Sequence, residues 1–282
     1  MTDKKLKVLI SADLEGVSGV VHPQQTSPGS PDYKDAVMRW TQELNAVVTG
    51  LRETGVELIV INDSHNHMRN LNNSMINNAI VVSGWQRPLS MICDVDKVVY
   101  DACFFTGYHT MAGSKSTLSH TYRPRVIKEV FINKVQVGEI GINAAMAGFY
   151  NVPVVFISGD EDTCHEAQGL LGDQIVTVPT KKGLSRYAAM SYPFDLILKN
   201  LKLEASRAVK EKEKWKVYKV TSPCTLLVTF TEPNHADACE LIPGVKRISD
   251  NQVEFTHQLY PVVYKCFLAM GALAVSREEV IT

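Results

Sequence analysis

Apolar positions follow two different periods along the first half of the chain. Short apolar runs predict buried strands, and the stretch from about residue 32 to 53 places Val37, Trp40 and Leu44 at helical spacing before Gly55 ends it. The predicted strands are Lys7–Ser11, Glu57–Asn62, Ala79–Ser83 and Ala102–Thr106. Strands joined by helices predict an α/β fold, with a mainly parallel sheet flanked by helices.

The pattern changes in the second half of the chain. The elements predicted there are a hairpin at Glu129–Val137, a helix at Glu139–Tyr150, a strand at Val152–Ser158, a long helix at Pro193–Lys214, strands within Val217–Thr231 and Gln252–Thr256, and a last helix near Leu259–Val275. We therefore predict an α/β domain at residues 1–180 and a smaller C-terminal α+β part at residues 181–282, packed on the first.

Composition and charge exclude several classes of partner. The 282 residues are 45% hydrophobic and 21% charged with a formal net charge of -1, so no overall field favours nucleic acid or an anionic membrane. No apolar run approaches the ~18 residues of a membrane span, and Val8–Ala12 is too short for the core of a signal peptide. The six cysteines form no C-x-x-C pair, which is typical of reduced thiols and predicts a cytoplasmic enzyme.

Acidic and imidazole side chains follow three of the predicted strands. Asp13 and Glu15 come just after the first strand, His65 follows the second, and His109 follows the fourth. Residues two apart in extended chain point to the same side, and open parallel sheets place their sites at the C-terminal ends of strands. Two carboxylates and two imidazoles suit zinc or manganese.

Each of these residues also has a structural interpretation, since an acid after a strand commonly caps a helix. Other residues allow two readings as well. Asp63 either orients a histidine or holds a turn, and Asp160 is better explained as a helix cap than as a site for a substrate amine. Arg123 and Arg125 are either surface residues or ligands of a substrate carboxylate, and His67 is expected to face solvent.

Six separated motifs occur in the order found in a known family. They read SADLEGVSG (Ser11–Gly19), NDSH (Asn62–His65), GYH (Gly107–His109), SH (Ser119-His120), VGEIGINAAMAG (Val137–Gly148) and VPVVFISGD (Val152–Asp160). The chain thereby resembles the D-aminopeptidase family of dinuclear zinc peptidases, of the dipeptide-transport-operon type. The resemblance covers most of residues 6–190 and weakens beyond them.

The resemblance implies a role for each site residue. Asp13 would bridge two zinc ions, Glu15 and His109 would complete one ion, and His65 with Glu139 would complete the other. Glu139 is a ligand that spacing alone does not predict. His120, on the loop from residue 113 to 121, matches the family's catalytic histidine, which could take a proton from water or stabilise a tetrahedral oxyanion.

These implications define an expected function. The chain is expected to be a metal-dependent aminopeptidase that hydrolyses short peptides or aminoacyl amides, with D-amino-acid peptides implied by the family, through a water activated by two zinc ions. Manganese is a possible substitute for zinc, and a homo-oligomer, a decamer in the family, is implied. The alternatives are an amidase or deacylase that uses the same centre on a non-peptide amide, and a noncatalytic metal-binding or peptide-binding module.

Overall fold

The computed structural model describes residues 5–277. Residues 1–4 and 278–282, the outer ends of the two predicted parts, lie outside the described residues. Two sheets form the framework: a large sheet of seven strands and a small sheet of five.

The large sheet confirms the predicted α/β architecture. Its strands lie in the order β3-β2-β1-β4-β7-β8-β9, and every pair is parallel except β8 with β9. The strands are β1 Lys7–Ala12, β2 Leu58–Asp63, β3 Ile80–Val82, β4 Ala102–Tyr108, β7 Val154–Asp160, β8 Val176–Ser185 and β9 Ala188–Ser191. In the parallel register Ala12 lies beside Asp63 on one side and Thr106 on the other, so three strands end at one edge.

Helices pack on both faces of the large sheet and on the small sheet. They are α1 Pro23–Thr26, α2 Tyr33–Glu53, α3 Glu139–Phe149, α4 Glu161–Leu171, α5 Phe194–Lys210, α6 Pro233–Cys239 and α7 Tyr260–Val275. Side chains alternate across the strands, so Phe104 packs in the core that contains Trp40 of α2 and Leu201 of α5. Phe105 faces the opposite core, together with Ile140 of α3.

The small sheet is antiparallel, in the order β11-β12-β10-β5-β6. Its strands are β5 Ile127–Ile132, β6 Val135–Gln136, β10 Cys224–Phe230, β11 Lys246–Ser249 and β12 Gln252–His257. The predicted hairpin is β5 and β6, and it pairs with β10 from the C-terminal half. Both sheets thus contain strands from both sides of residue 180, and the division of the chain at that residue stays a prediction.

Two predicted elements are shorter than expected. The helix predicted to reach Lys214 ends at Lys210 and is followed by a single 3₁₀ turn, Lys212–Lys214. The strand predicted within Val217–Thr231 is confined to β10. The β8–β9 hairpin was not predicted, because the polar residues from 181 to 187 give it no strand pattern.

No helix among residues 5–277 has the length and apolar character needed to cross a bilayer. All six cysteines are free thiols, and five of them are buried.

Candidate metal centre

Three strands of the large sheet end together and deliver the first ligand candidates. Asp13 directly follows β1, and its backbone N–H donates to the carbonyl of Thr106 on β4 at 2.8 Å. The chain stays against β4 for three more residues, because the N–H of Gly16 donates to the carbonyl of Gly107 at 2.8 Å. Asp13 and the intervening Glu15 are thereby fixed at the edge of the sheet, where both are buried.

Two glycines allow this close approach. A Cβ atom on Gly16 would lie 1.9 Å from the carbonyl oxygen of Tyr108, and one on Gly107 would lie 2.1 Å from that of Asp13. Gly107 also has a φ of 65°, in the left-handed region that glycine adopts without strain. Larger residues here would push the strand ends apart and separate Asp13 from His109.

His65 is held by a loop that Asp63 organises. The carboxylate of Asp63 accepts hydrogen bonds from the backbone N–H groups of Asn70 and Leu71 and from the Asn70 side chain, which also donates to the carbonyl of His65 at 2.7 Å. Asp63 therefore holds the turn that carries His65, and it makes no hydrogen bond to the imidazole ring. It interacts with His65 only through the Coulombic attraction between the two side chains.

The remaining candidates come from three different elements. His109 directly follows β4, Glu139 is the first residue of α3, and His120 lies in the loop after β4. The N–H of Tyr122 donates to Glu139 Oε1 at 2.7 Å and so connects this loop to α3. Glu139 and His109 are buried, and the side chain of His120 is 13% exposed.

The six side chains form two groups, each of which could hold a metal ion. We call Asp13, Glu15 and His65 the first group. His65 Nδ1 lies 3.0 Å from Glu15 Oε2 and 3.3 Å from Asp13 Oδ1.

We call His109, His120 and Glu139 the second group. His109 Nε2 lies 3.4 Å from Glu139 Oε1, and His120 Nε2 lies 3.7 Å from the same oxygen. The imidazole rings of His109 and His120 stack with their centroids 3.9 Å apart.

Asp13 links the two groups through its two carboxylate oxygens. Oδ1 faces His65, and Oδ2 lies 3.5 Å from His109 Nε2. These distances place Glu15 beside His65 and Glu139 beside His109. This differs from the pairing that the family resemblance implied, in which Glu15 joins His109 and His65 joins Glu139.

All three imidazoles are oriented by backbone carbonyls. His65 Nε2 lies 2.7 Å from the carbonyl of Thr26, His109 Nδ1 lies 3.0 Å from that of Thr110, and His120 Nδ1 lies 2.8 Å from that of Leu118. A carbonyl can only accept, so each of these nitrogens donates its N–H. The other ring nitrogen of each histidine is then directed at the carboxylates, the arrangement common in metal-binding histidines.

Two buried atoms at the centre lack a hydrogen-bond partner. They are Glu15 Oε2 and His109 Nε2, one in each group; His65 Nδ1 at 3.0 Å and Glu139 Oε1 at 3.4 Å lie near them without forming a hydrogen bond of good geometry. An unpaired polar atom in the interior costs about 1–3 kcal/mol, and both atoms face the space between the ligand candidates. A carboxylate oxygen and an imidazole nitrogen are both zinc ligands, so the donor set fits a metal ion in each group.

The electrostatics of the centre favour bound cations. Burial lowers the pKa of His109, but the carboxylates of Glu139 and Asp13 outweigh it and raise that pKa well above its usual range. Burial likewise lowers the pKa of His65, and Glu15 and Asp13 raise it well above its usual range. The same negative field that holds protons on these imidazoles would hold metal ions in their place.

His120 differs from the other two histidines. Burial lowers its pKa, His109 lowers it further, and Glu139 only partly opposes them. Its imidazole is therefore the one that stays neutral near pH 7.

A buried lysine supports the loop that carries Glu15. The Lys181 side chain is fully buried, and its ammonium group donates to the backbone carbonyls of Glu15, Val17 and Val20. Burial lowers its pKa to about 8, although neighbouring acids, including Glu43, oppose the shift. Sequence reasoning missed Lys181, because a Lys-Lys-Gly segment reads as solvent-exposed.

The loop that carries His120 is anchored on its other side by Asp160. The Asp160 carboxylate accepts from the hydroxyl of Ser116 and from the N–H of Thr117, and it caps α4 by accepting from the N–H of Thr163 at 2.8 Å. Asp160 is thus a helix cap, as predicted, and it also fixes the loop. Ser116 and Thr117 are buried, so this segment is not the exposed loop that its glycine and serines suggest.

The centre opens into a cavity of about 690 Å³. Asp13, Glu15, His65, His120 and Glu139 line it, and its outer wall includes Arg123 and Arg125. His67 faces solvent beside Trp85 and belongs to neither group.

A second open cavity of about 720 Å³ lies between α2 and β9. In the described part of the chain, no histidine or cysteine lines it, and the two acids that do, Asp32 and Asp35, belong to the start of α2. The chemistry therefore lies in the first cavity.

Three comparisons with known proteins each match D-aminopeptidases over most of the chain. A sequence profile of the D-aminopeptidase family matches residues 6–269. A D-aminopeptidase of Bacillus subtilis (strain 168) is 28% identical over 271 residues, which are 95% of this chain and 98% of that protein. A solved structure of a zinc-dependent D-aminopeptidase from Bacillus subtilis, described as a self-compartmentalizing protease, matches with a TM-score of 0.91 at 28% identity and covers 96% of this chain and 98% of that one.

Proposed function

The chain belongs to the D-aminopeptidase family and is therefore an aminopeptidase, and we propose that it hydrolyses short D-amino-acid peptides with two zinc ions held by the first and second groups. Family and enzyme class are as predicted. The zinc dependence of the Bacillus relative supports zinc here, with manganese as a possible substitute.

One observation carries the two-ion proposal. The two oxygens of Asp13 face different groups, Oδ1 toward His65 and Oδ2 toward His109, so one carboxylate can serve both ions. Glu15 would complete the first ion with His65, and Glu139 would complete the second with His109. This assignment follows the distances and replaces the crossed pairing implied by resemblance.

The side chains supply the rest of the chemistry. Two bound zinc ions would lower the pKa of a water molecule and polarise the scissile carbonyl. The Nδ1–H of His120 donates to Leu118, so Nε2 carries the lone pair and faces the centre. Because burial and His109 lower its pKa, His120 can accept a proton from the attacking water and return it to the leaving amine.

Metal content and substrate hydrolysis test this proposal together. We expect close to two zinc ions per chain by elemental analysis, loss of activity on chelation, and recovery on addition of zinc. Dipeptides with a D amino-terminal residue should be hydrolysed faster than their L counterparts. One ion or none in an active enzyme would contradict the two-ion centre, and a preference for L-peptides would contradict the substrate class.

We also propose a cytoplasmic homo-oligomer, a decamer. The Bacillus relative is described as self-compartmentalizing, which supports an assembly that encloses its sites. The six free thiols, which form no disulfide among the described residues, support a reducing compartment. Native mass spectrometry should give a particle of ten chains, and a monomer at micromolar concentration would contradict the assembly while leaving the centre intact.

A further inference from the structure

We propose that the rim of the active-site cavity binds the C-terminal carboxylate of a short peptide through Arg186 and Arg125, with Arg123 beside them. This inference rests on the proposed function and specifies its substrate class. We call these three residues the arginine rim.

The charged residues that line the cavity differ between its floor, which is the metal centre, and its wall, which is the rest of the lining. Among residues 5–277, the three acids that line it, Asp13, Glu15 and Glu139, are all proposed metal ligands. Every other residue with a full charge in the described lining is an arginine: Arg87, Arg123, Arg125 and Arg186. Two bound zinc ions would offset the charge of the three carboxylates, so the wall would present its positive charge to an entering peptide without a negative floor beneath it.

Arg87 does not belong to the rim, because its guanidinium is used by the fold. It donates to the side chain of Asn62 and to the carbonyls of Val82 and Asp63. The loop that follows β2 is held by these bonds.

Arg186 is fixed beside the proposed catalytic histidine. It lies at the tip of the β8–β9 hairpin, and its Nη1 donates to the carbonyl of Ser119 at 2.6 Å and to the Ser119 hydroxyl at 3.2 Å. His120 is the next residue. Nη2 of Arg186 makes no hydrogen bond to any residue in the range 5–277, so one arm of the guanidinium can reach a ligand.

Arg123 and Arg125 approach the cavity from another loop. The backbone N–H of Tyr122 donates to Glu139, a proposed metal ligand. Arg123 is the next residue along the chain, so its backbone lies close to the centre. The Arg123 guanidinium lies over the ring of Trp85, 5.8 Å from its centroid. Arg125 is exposed and lines the same cavity, and no carboxylate among the described residues pairs with it.

This arrangement sets the direction of a bound peptide. Guanidinium groups bind carboxylates through paired hydrogen bonds, whereas they repel an ammonium group. The amino end of a peptide would therefore lie at the floor, near the metal ligands, and a free carboxylate would lie at the rim. A peptide whose C-terminus is amidated loses the charge that the rim recognises.

The test compares one dipeptide in two forms, D-alanyl-glycine and D-alanyl-glycine amide, with the zinc-loaded enzyme. We expect amidation to lower kcat/KM by roughly 10–100-fold, mainly through KM, which is the usual effect of losing hydrogen bonds to a charged group. In the double variant Arg125→Gln/Arg186→Gln this ratio should fall close to one. Arg186→Lys keeps the positive charge but loses the paired N–H donors of the guanidinium, so it should give an intermediate ratio of kcat/KM between acid and amide.

Two controls separate recognition from damage. Arg207→Gln, on α5 and paired with Glu204 and Glu211, should leave the ratio unchanged. Because Arg186 also holds Ser119, the rate on the amide reports any displacement of His120, while the ratio reports the carboxylate alone. Equal kcat/KM for acid and amide in the unmodified enzyme, or an unchanged ratio in the double variant, would overturn the inference. Failure to hydrolyse either form would instead contradict the proposed function, and the inference with it.

Discussion

The first and second groups of the metal centre are positioned in different ways. Asp13, Glu15 and His65 follow two neighbouring parallel strands, β1 and β2, so the sheet alone brings them to one edge. His109 follows β4, but its partners Glu139 and His120 come from a helix and a loop that meet it only in the tertiary structure.

The supports of the two groups differ as well. The first group depends on one buried cation, since Lys181 holds the backbone from Glu15 to Val20. The second group depends on several separate hydrogen bonds, including the one from the N–H of Tyr122 to Glu139 and those that the Asp160 carboxylate accepts from the His120 loop. The first group should therefore be sensitive to a single charge, and the second to the packing of a loop.

The largest expected effect comes from removing one histidine of each group. His65→Ala should lose the ion of the first group and His109→Ala that of the second, because each removes a nitrogen directed at the carboxylates. Each variant should retain close to one zinc and almost no activity. Elemental analysis checks this, with His67→Ala as the exposed control that keeps both ions. Two ions retained in either variant would remove that histidine from the ligand set.

His120→Ala should keep both ions and lose turnover. The expected fall in kcat is roughly 10²–10⁴-fold, the usual contribution of a positioned acid or base, with a smaller change in KM. Steady-state kinetics and metal content measured on the same sample provide the check, with His165→Ala on the exposed face of α4 as the control. A near-normal kcat would exclude His120 from the mechanism, and loss of a zinc ion would make it a ligand.

Lys181→Met tests the support of the first group. It leaves the carbonyls of Glu15, Val17 and Val20 without their donor, which should lower the free energy of unfolding by about 3 kcal/mol. Zinc affinity should fall by roughly 10–100-fold at the first group alone. Denaturant unfolding and zinc titration measure the two effects.

The neighbouring Lys182→Met is the matched control, because Lys182 is exposed and its ion pair with Glu161 spans 3.7 Å. Its effect should stay within about 0.5 kcal/mol. Equal effects of the two substitutions would show that Lys181 has no special role.

The sequence predicts the first group better than the second, for a physical reason. Strand ends of a parallel sheet lie together whatever the rest of the fold does, so Asp13, Glu15, His65 and His109 can be selected from the pattern. Glu139 begins a helix that follows a strand of the small sheet, and no spacing connects it to the other ligands. Only the resemblance to a family indicated Glu139 and His120.

Lys181 and the arginine rim are harder still to predict. Lysine and arginine are usually exposed, so neither burial nor a shared cavity follows from their sequence context. The β8–β9 hairpin, which supplies both Lys181 and Arg186, had no strand pattern to indicate it.

The smallest expected effect is a pH dependence of stability beneath the first group. Glu43 is buried and accepts from the N–H of Ser18, and burial raises its pKa to about 7. Its unfolded pKa lies near 4.5, so the folded chain holds an extra proton between pH 4.5 and 7. Stability from this carboxyl is full below pH 4.5 and is lost as the pH rises through 7, by no more than about 3 kcal/mol.

Thermal unfolding of the unmodified chain and of Glu43→Gln, measured from pH 5 to 8, checks this sign. As the pH rises, the unmodified chain should lose stability relative to Glu43→Gln, because only the unmodified chain has a carboxyl that ionises in this range. A difference that stays constant, or shifts the other way, would contradict the raised pKa.

The central claim is that Asp13 joins two ions with different partners. A crystal structure of the zinc-loaded chain, with anomalous difference maps on either side of the zinc absorption edge, tests it most directly. The account predicts two zinc peaks, one contacted by Glu15 and His65, the other by His109 and Glu139, and both contacted by Asp13. A single peak, or two peaks with Glu15 joined to His109 and His65 joined to Glu139, would contradict it.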